Sequence, residues 1–394
     1  MTTQESVVIV DGARTPVGSF GGVFVDVPAH ELGATATKYA LVRAGVAPED
    51  IDEVVMGCVG QVGADAYNAR RVALSAGLPV SVPAHTVNRL CGSGLQAVWS
   101  AAMQIRWGGA NLTVAGGNEN MSRMPFYDFG ARTGYKLGNR TFVDGTVGML
   151  TDPFDGIHMG ITAENVARKY GISRQQQDEF AAESQRRAAT ARARAVFDEE
   201  ITPVQVGGRK PVTITTDEHP KSSTTVATLA TLRPAFEAGG TVTAGNASGI
   251  NDGAGALVLS RGSVARERGL GGLATIESVA TAALEPELMG YAPALALAKL
   301  FEQTGTTAAD IDTIELNEAF ASQAVAVIRD AKLDSEKTNP YGGAIALGHP
   351  VGATGAILTL RVAKDLVRRD LELGIVTMCI GGGQALAALL RRVH

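Results

Sequence analysis

The chain repeats itself weakly, and a repeat of this length limits what it can fold into more than any other feature. The stretch RAGVAPEDIDEVVMG runs from Arg43 to Gly57, and QTGTTAADIDTIELN runs from Gln303 to Asn317, 260 residues later. Each reads as a helix end, a turn, a short Asp-Ile-Asp cap and a strand. A second pair keeps nearly the same offset: CGSGLQAVWSAAMQI begins at Cys91 and GATGAILTLRVAKDL at Gly352. Both are small-residue turns opening an amphipathic helix. Each helix leads to an apolar strand with glycines, NLTVAGGNEN from Asn111 and GIVTMCIGGGQ from Gly374. Order and spacing are both kept, so two related α/β halves are expected. Their strands are continuous apolar runs, as in sheets buried on both faces.

Between the halves lies a segment of different character. It is rich in Arg, Gln and Ala, with helices expected over 163–170 and 174–195 and short strands after Phe197. The expected division is a first half over 1–121 with a return segment near 250–275, an inserted loop domain over 122–249, and a second half over 276–394. Long insertions of this kind carry function or assembly contacts.

At 394 residues the chain is too long for one core. A net charge of −5 offers no broad basic face for nucleic acid. A polyanionic ligand would need a local positive pocket. The three cysteines, Cys58, Cys91 and Cys379, cannot all pair, and their spacing fits no metal motif. Free thiols point to a reducing compartment. The start shows no basic and apolar leader, the end no peroxisomal tripeptide, and no run of about 18 apolar residues suggests a membrane span. A cytoplasmic enzyme without metal, membrane or nucleic-acid partner is expected.

Two cysteines and a histidine sit where chemistry is plausible. Cys91, in VNRLCGSGLQAV, stands between a strand and a helix, where unsatisfied N–H groups and the helix dipole favour a thiolate. Cys379 precedes three glycines in MCIGGGQALA, whose freed N–H groups can point at an oxyanion. His349 lies on the glycine-rich stretch NPYGGAIALGHPVGATG, a setting core packing explains poorly. Asn317 follows the strand TIEL, and its amide could hold a water or orient an imidazole. Glu318 beside it reads equally as a base or as a support.

Together these motifs resemble the thiolase family over essentially the whole chain. They are NRLCGSGL, GNASGINDGAGAL from Gly245, NEAFA from Asn317, GGAIALGHPVGATG from Gly342 and CIGGGQ, with DGARTPVGSFGG and HMGITAENVA besides. The resemblance implies an α/β thiolase fold in α-β-α-β-α layers with an inserted loop domain. It implies Cys91 as the acyl-carrying nucleophile and His349 as its activator. His349 would also help form one oxyanion hole, with a water held by Asn317. Cys379 would take or return the α-proton, and the N–H groups of Cys91 and Gly381 would form a second oxyanion hole. Coenzyme A would be a substrate rather than a cofactor, alongside acetyl-CoA and 3-ketoacyl-CoA. Leu150, His158 and Met159 would line the thioester end and Ser248 would contact the pantetheine. Phe236, Ala244, Ala319 and Phe320 would form walls, and Lys221 would lie near the nucleotide.

HMG at His158 with Met289 in LMGYAP is similar to the short-chain acetoacetyl-CoA type. Gln384-Ala385-Leu386 and TTDEHPKSSTT are closer to degradative and ketoadipyl-CoA relatives. A decarboxylating ketosynthase would not need Cys379, and a binding-only relative would not need all four catalytic residues. The segment ARTGYKLGNRTFVDG from Ala131 resembles a tetramerisation loop, so a homotetramer is expected, with a homodimer as the alternative.

Overall fold

The computed structural model describes residues 5–394; the first four residues, with the start of the expected first half, lie outside it. The first half runs β1 (Val7–Arg14), α1 (Ala29–Ala44), β2 (Glu53–Gly57), α2 (Asn68–Ser75), β3 (Ala84–Val87), α3 (Ser93–Trp107) and β4 (Leu112–Asn120). An insertion follows, with helices α4 (Met159–Tyr170) and α5 (Arg174–Ala193), and the chain returns through β5 (Asn251–Arg261). The second half runs β6 (Ala274–Ala283), α6 (Ala292–Thr304), β7 (Thr313–Leu316), α7 (Ala321–Asp330), α8 (Ala344–Leu347), α9 (Thr354–Arg368), β8 (Leu373–Ile380) and β9 (Gln384–Arg392). Helix α5 stops two residues before the expected end, because Ala195 takes the left-handed conformation at φ 55°.

The repeat is visible in detail. In the first half the sheet order is β3-β2-β4-β5-β1. In the second it is β7-β8-β9-β6, and a parallel bridge from Ile314 to Thr338 stands where β3 pairs with β2. Helices α1 and α6 both end on a left-handed glycine, Gly45 and Gly305. The second aspartate of each Asp-Ile-Asp does the same work. Asp52 accepts the N–H groups of Asn111 and Leu112 at 2.7 and 3.0 Å, and Asp312 those of Glu372 and Leu373, both at 3.0 Å. Each carboxylate caps the start of the strand beside its own.

Alternate residues of each strand face different layers. Val54 and Met56 pack outward with α1 and α2, while Val55 packs inward with α3 and α9. In the second sheet Ile375 and Leu389 face α6 and α7, while Val376 and Leu390 face the same central layer. The layers are therefore helix, sheet, helix, sheet, helix. The two sheets are not wholly separate, however. Two antiparallel pairs, Val8 with Thr275 and Ile9 with Ala274, join them along one edge into a ten-stranded whole.

The central helices meet backbone to backbone. A Cβ at Gly94 would stand 2.6 Å from the Ala356 nitrogen, and one at Gly355 would stand 2.3 Å from the Leu95 nitrogen. Only glycine permits this approach. Among the described residues no helix is long and apolar enough to cross a membrane.

Candidate active site

Cys91 sits in a tight turn between β3 and α3. Leu90 before it has φ 46°, and Ser93 ties the turn by donating to the Leu90 carbonyl at 2.6 Å and accepting the Arg89 N–H at 2.9 Å. The turn leads straight into α3, as the sequence implies. The residue is half-buried, but its sulfur is crowded enough that desolvation pushes the thiol up to about 11. The N–H groups of Gly381 and of Cys91 itself lie close enough to favour the thiolate, yet burial outweighs them. The expectation that the helix start would favour a resting thiolate is thus corrected: before substrate arrives, this is a thiol.

Cys379 closes β8 from the other half. Burial pushes its thiol up strongly, and the neighbouring Cys91 sulfur adds to the shift; a Cβ at Gly92 would stand 2.4 Å from the Ile380 side chain, so the Cys91 turn packs against the end of β8. After it, Gly382 and Gly383 turn the chain into β9 at φ 77° and 79°. Gly381 is left with its N–H toward Cys91.

His349 is buried between both halves. Its Nδ1 lies 2.7 Å from the Thr354 hydroxyl, which itself donates to the Pro350 carbonyl at 3.0 Å. Thr354 therefore accepts, and the ring proton is assigned to Nδ1. Nε2 is left as an acceptor, 3.4 Å from the Asn317 amide nitrogen. Burial lowers the imidazole to about 4. Asn317 Oδ1 is buried without a protein partner. Glu318 turns the other way. It accepts from Ser184, Asn339 and the Ile345 N–H at 2.7, 2.8 and 3.3 Å, so it supports the loop carrying α8.

The expected lining residues fall into two groups. Met159, Phe236, Met289, Ala319 and Phe320 pack with Cys379 in one apolar cluster. His158 caps α4 by accepting the Gly160 N–H at 3.0 Å, and its ring stacks on Phe236 at 4.9 Å between centroids. Leu150 accepts the Met159 N–H at 2.8 Å, and Ser248 donates its N–H to the Ala319 carbonyl at 2.9 Å. Lys221 and Ala244 lie elsewhere, lining a cavity of about 270 Å³ with His219, Thr228 and Leu232.

Three supporting residues escaped the sequence reading. Asn251 accepts the His349 N–H at 2.9 Å, and Thr354 holds the ring. Both lie inside the quoted motifs, which was the only signal. Glu119 had none. Its buried carboxylate accepts the N–H groups of Val59, Gly60 and Gly352 at 3.0, 2.9 and 2.9 Å, and burial still lifts it to about 7. It ties the loop after His349 to the first half.

A family model for the thiolase N-terminal domain matches residues 7–263, and one for the C-terminal domain matches residues 270–392. The chain belongs to the thiolase family. It is 48% identical over 389 residues to an acetyl-CoA acetyltransferase of Cupriavidus necator, covering 98% of this chain and 99% of that one. The crystal structure of the Bacillus anthracis acetyl-CoA acetyltransferase superposes with a TM-score of 0.98 at 42% identity, covering both chains fully. Human mitochondrial 3-ketoacyl-CoA thiolase, solved in complex with CoA, gives 0.96 at 39% identity, covering 99% of this chain and 98% of that one. Within the thiolase fold, the site described above draws Cys91 from the first half and Asn317, His349, Cys379 and Gly381 from the second.

Proposed function

We propose that this thiolase is an acetyl-CoA C-acetyltransferase, forming or cleaving acetoacetyl-CoA and other short 3-ketoacyl-CoAs. The observation that carries the reading is the Cys91 thiol beside the Gly381 N–H, with the Cys379 thiol near enough to be shifted by it and a buried neutral imidazole at His349 next to Asn317. The thiol stands near 11 and the imidazole near 4, so the resting pair is neutral. The Cys91 proton therefore moves to His349 Nε2 as the sulfur attacks the thioester carbonyl. The tetrahedral oxyanion is met by the N–H groups of Cys91 and Gly381. Its collapse expels CoA thiolate, which takes the proton of the Cys379 thiol, and leaves acetyl-Cys91, a thiolate at Cys379 and the proton still on His349 Nε2.

A second acetyl-CoA then gives an α-proton to Cys379. Even as a thiolate it is a weak base for so weak an acid, so the enolate oxygen must be held as charge develops. The Nε2–H that His349 gained from Cys91 and a water bound by Asn317 supply that hold. The carbanion attacks acetyl-Cys91, the carbon–carbon bond forms, and the Cys91 sulfur leaves and takes the proton from His349 Nε2, while Cys379 keeps the α-proton and both thiols are restored. No cofactor is needed, and coenzyme A is a substrate.

Met159, Phe236, Met289 and Phe320 pack with Cys379 in one apolar cluster, bulky side chains of the kind that suit a short acyl group. Acetyl-CoA acetyltransferases stand at 48% identity in Cupriavidus necator and 42% in Bacillus anthracis, which supports the same reading. The insertion, 122–249, is the part proposed to bind CoA, with Lys221 toward the nucleotide. A cytoplasmic homotetramer is proposed. Phe129 and Leu137 stand 79 and 102% exposed on the 126–143 segment, apolar surface suited to a second copy. The test is a panel of 3-ketoacyl-CoAs from four carbons upward, with acetyl-CoA labelling of the enzyme. Fastest turnover at four carbons and label on Cys91 alone are expected. A rate that rises with chain length would refute the acetoacetyl-CoA assignment.

A further inference from the structure

His219, in the TTDEHPKSSTT segment of the insertion, touches two things at once. Its ring forms part of the wall of the 270 Å³ cavity beside Gln185 and Lys221. Its Nδ1 lies 3.2 Å from the Asn251 amide nitrogen, which also donates to the Gly18 carbonyl at 3.0 Å. The other arm of that amide, Oδ1, accepts the His349 N–H at 2.9 Å. These contacts fix the amide. An oxygen must face the His349 N–H, so a nitrogen faces His219, and His219 Nδ1 must be the acceptor. The ring proton then belongs on Nε2, and the Ile345 carbonyl lies where it favours a proton on this ring.

Ile345 belongs to α8, one turn before His349. Gln185 donates to the same carbonyl at 3.3 Å and accepts the Lys221 N–H at 2.8 Å. One imidazole thus bears on the catalytic loop at two places, through Asn251 at the His349 N–H and through α8. Glycines make the approach possible. A Cβ at Gly249 would stand 2.3 Å from His219 Cε1, and one at Gly348 would stand 2.7 Å from Asn251 Cγ.

We propose that His219 is a positioning residue for the acyl transfer, an inference that rests on the thiolase reading above. From the wall of the cavity that Lys221 also lines, it holds the His349 loop in register. The ring is suited to this as a neutral group. Burial lowers its pKa, the Lys221 ammonium lowers it further, and only neutral His219 can accept from Asn251. The carboxylates of Asp217 and Glu218 oppose the shift without overcoming it.

The test compares wild type with His219→Phe and His219→Gln in acetyl transfer to Cys91 and in thiolysis of acetoacetyl-CoA, with melting temperatures alongside. Phe keeps the ring and loses both polar contacts; Gln keeps an acceptor and a donor. In His219→Phe, kcat should fall about 10–100-fold in both steps, the scale of a small misplacement of a catalytic group. KM for the CoA thioester and the melting temperature should stay close to wild type, and His219→Gln should recover most of the rate. A rise in KM alone would make His219 a cavity wall and overturn the proposal. Equal losses in Phe and Gln variants would overturn it too. If His219→Phe does not fold, His219→Met against His219→Gln makes the same comparison. A wild-type enzyme that never labels Cys91 would refute the activity itself, and that result is read before any variant is made.

Discussion

In the first half, β2 ends at Gly57 and passes into Cys58; 260 residues on, β7 passes into Asn317 and Glu318. A Cβ at Gly57 would stand 2.5 Å from the Ser93 carbonyl carbon, so the start of α3 rests directly on the strand. At the equivalent place in the second half, an amide instead reaches toward His349. The other equivalents diverge the same way. Asn118 stands where the second half has Cys379, and it exchanges hydrogen bonds with Asn68 at 3.0 and 2.7 Å. Asn88 stands where the second half has His349, and it is exposed. The frame is duplicated, but the strand ends are not. The first half uses its strand ends for packing, Gly57 against the start of α3 and Asn118 against Asn68, and the second fills the same positions with groups proposed to do chemistry.

The cysteines test this division most severely. Cys91→Ser should abolish acyl-enzyme formation, because a serine hydroxyl at neutral pH is a far weaker nucleophile. Cys379→Ser should still be acetylated by acetyl-CoA, since that step removes no α-proton. Its carbon–carbon bond formation should fall by roughly three orders of magnitude or more. Cys58 is the control. It is fully buried, 3.8 Å from Glu119, on the side of the frame that only supports. Cys58→Ser should keep turnover within about threefold, as a change remote from the reacting atoms. Mass spectrometry of the labelled protein, with condensation rates, reads all three. Label on Cys379, or a Cys58 variant as damaged as the other two, would break the comparison.

Much of this was legible in the sequence, and the reasons differ by residue. The duplicated frame could be read because buried strands and glycine-opened helices leave strong local patterns, and because the Asp-Ile-Asp caps recur. The catalytic side chains could be read because each sits in a glycine-rich stretch unlike ordinary core. The protonation state of Cys91 could not. It depends on how much water the opposite half excludes, and no residue near Cys91 in the chain records that. Glu119 and His219 were hidden for the same reason, since their partners Gly352 and Asn251 come from distant segments. The edge contact that joins the two sheets rests on two residue pairs and leaves no pattern at all.

The second test asks whether the central helices are equivalent. Gly94 and Gly355 occupy matching turns of α3 and α9, and each meets the other helix's backbone. Alanine is the better helix former by about 1 kcal/mol, so propensity alone would make either replacement stabilising. A methyl within 2.6 Å of backbone forces the helices apart instead, and overpacking of this kind costs about 2–3 kcal/mol. Gly94→Ala and Gly355→Ala should therefore lower stability by similar amounts in urea unfolding. A loss in one and a gain in the other would show that the contact is not shared evenly between the halves.

The smallest expected effect concerns a charge that only one half carries. Glu315 lies inside β7, where the first half has Val55. Both its oxygens are buried without a hydrogen-bond partner, and the nearest cation, Arg361 Nη1, is 3.6 Å away. Arg361 is already committed to Glu200, which its Nη2 meets at 3.2 Å. Desolvation dominates, and the carboxyl is raised from 4.5 to about 8; Arg361 pulls it down, while Glu200, Asp365 and Glu318 push it up. A carboxyl raised in this way holds its proton more tightly folded than unfolded. Its contribution to stability is therefore greatest below 4.5 and is lost as pH rises toward 8. Glu315→Gln keeps the shape and removes the titration. From pH 5 to pH 9 the wild type should lose on the order of 1–2 kcal/mol more than the variant, less than the whole shift because the neighbouring carboxylates adjust their own protons. Urea unfolding at pH 5, 7 and 9 measures this difference. Parallel curves would mean that the second half carries its extra carboxyl as harmlessly as the first half carries a valine.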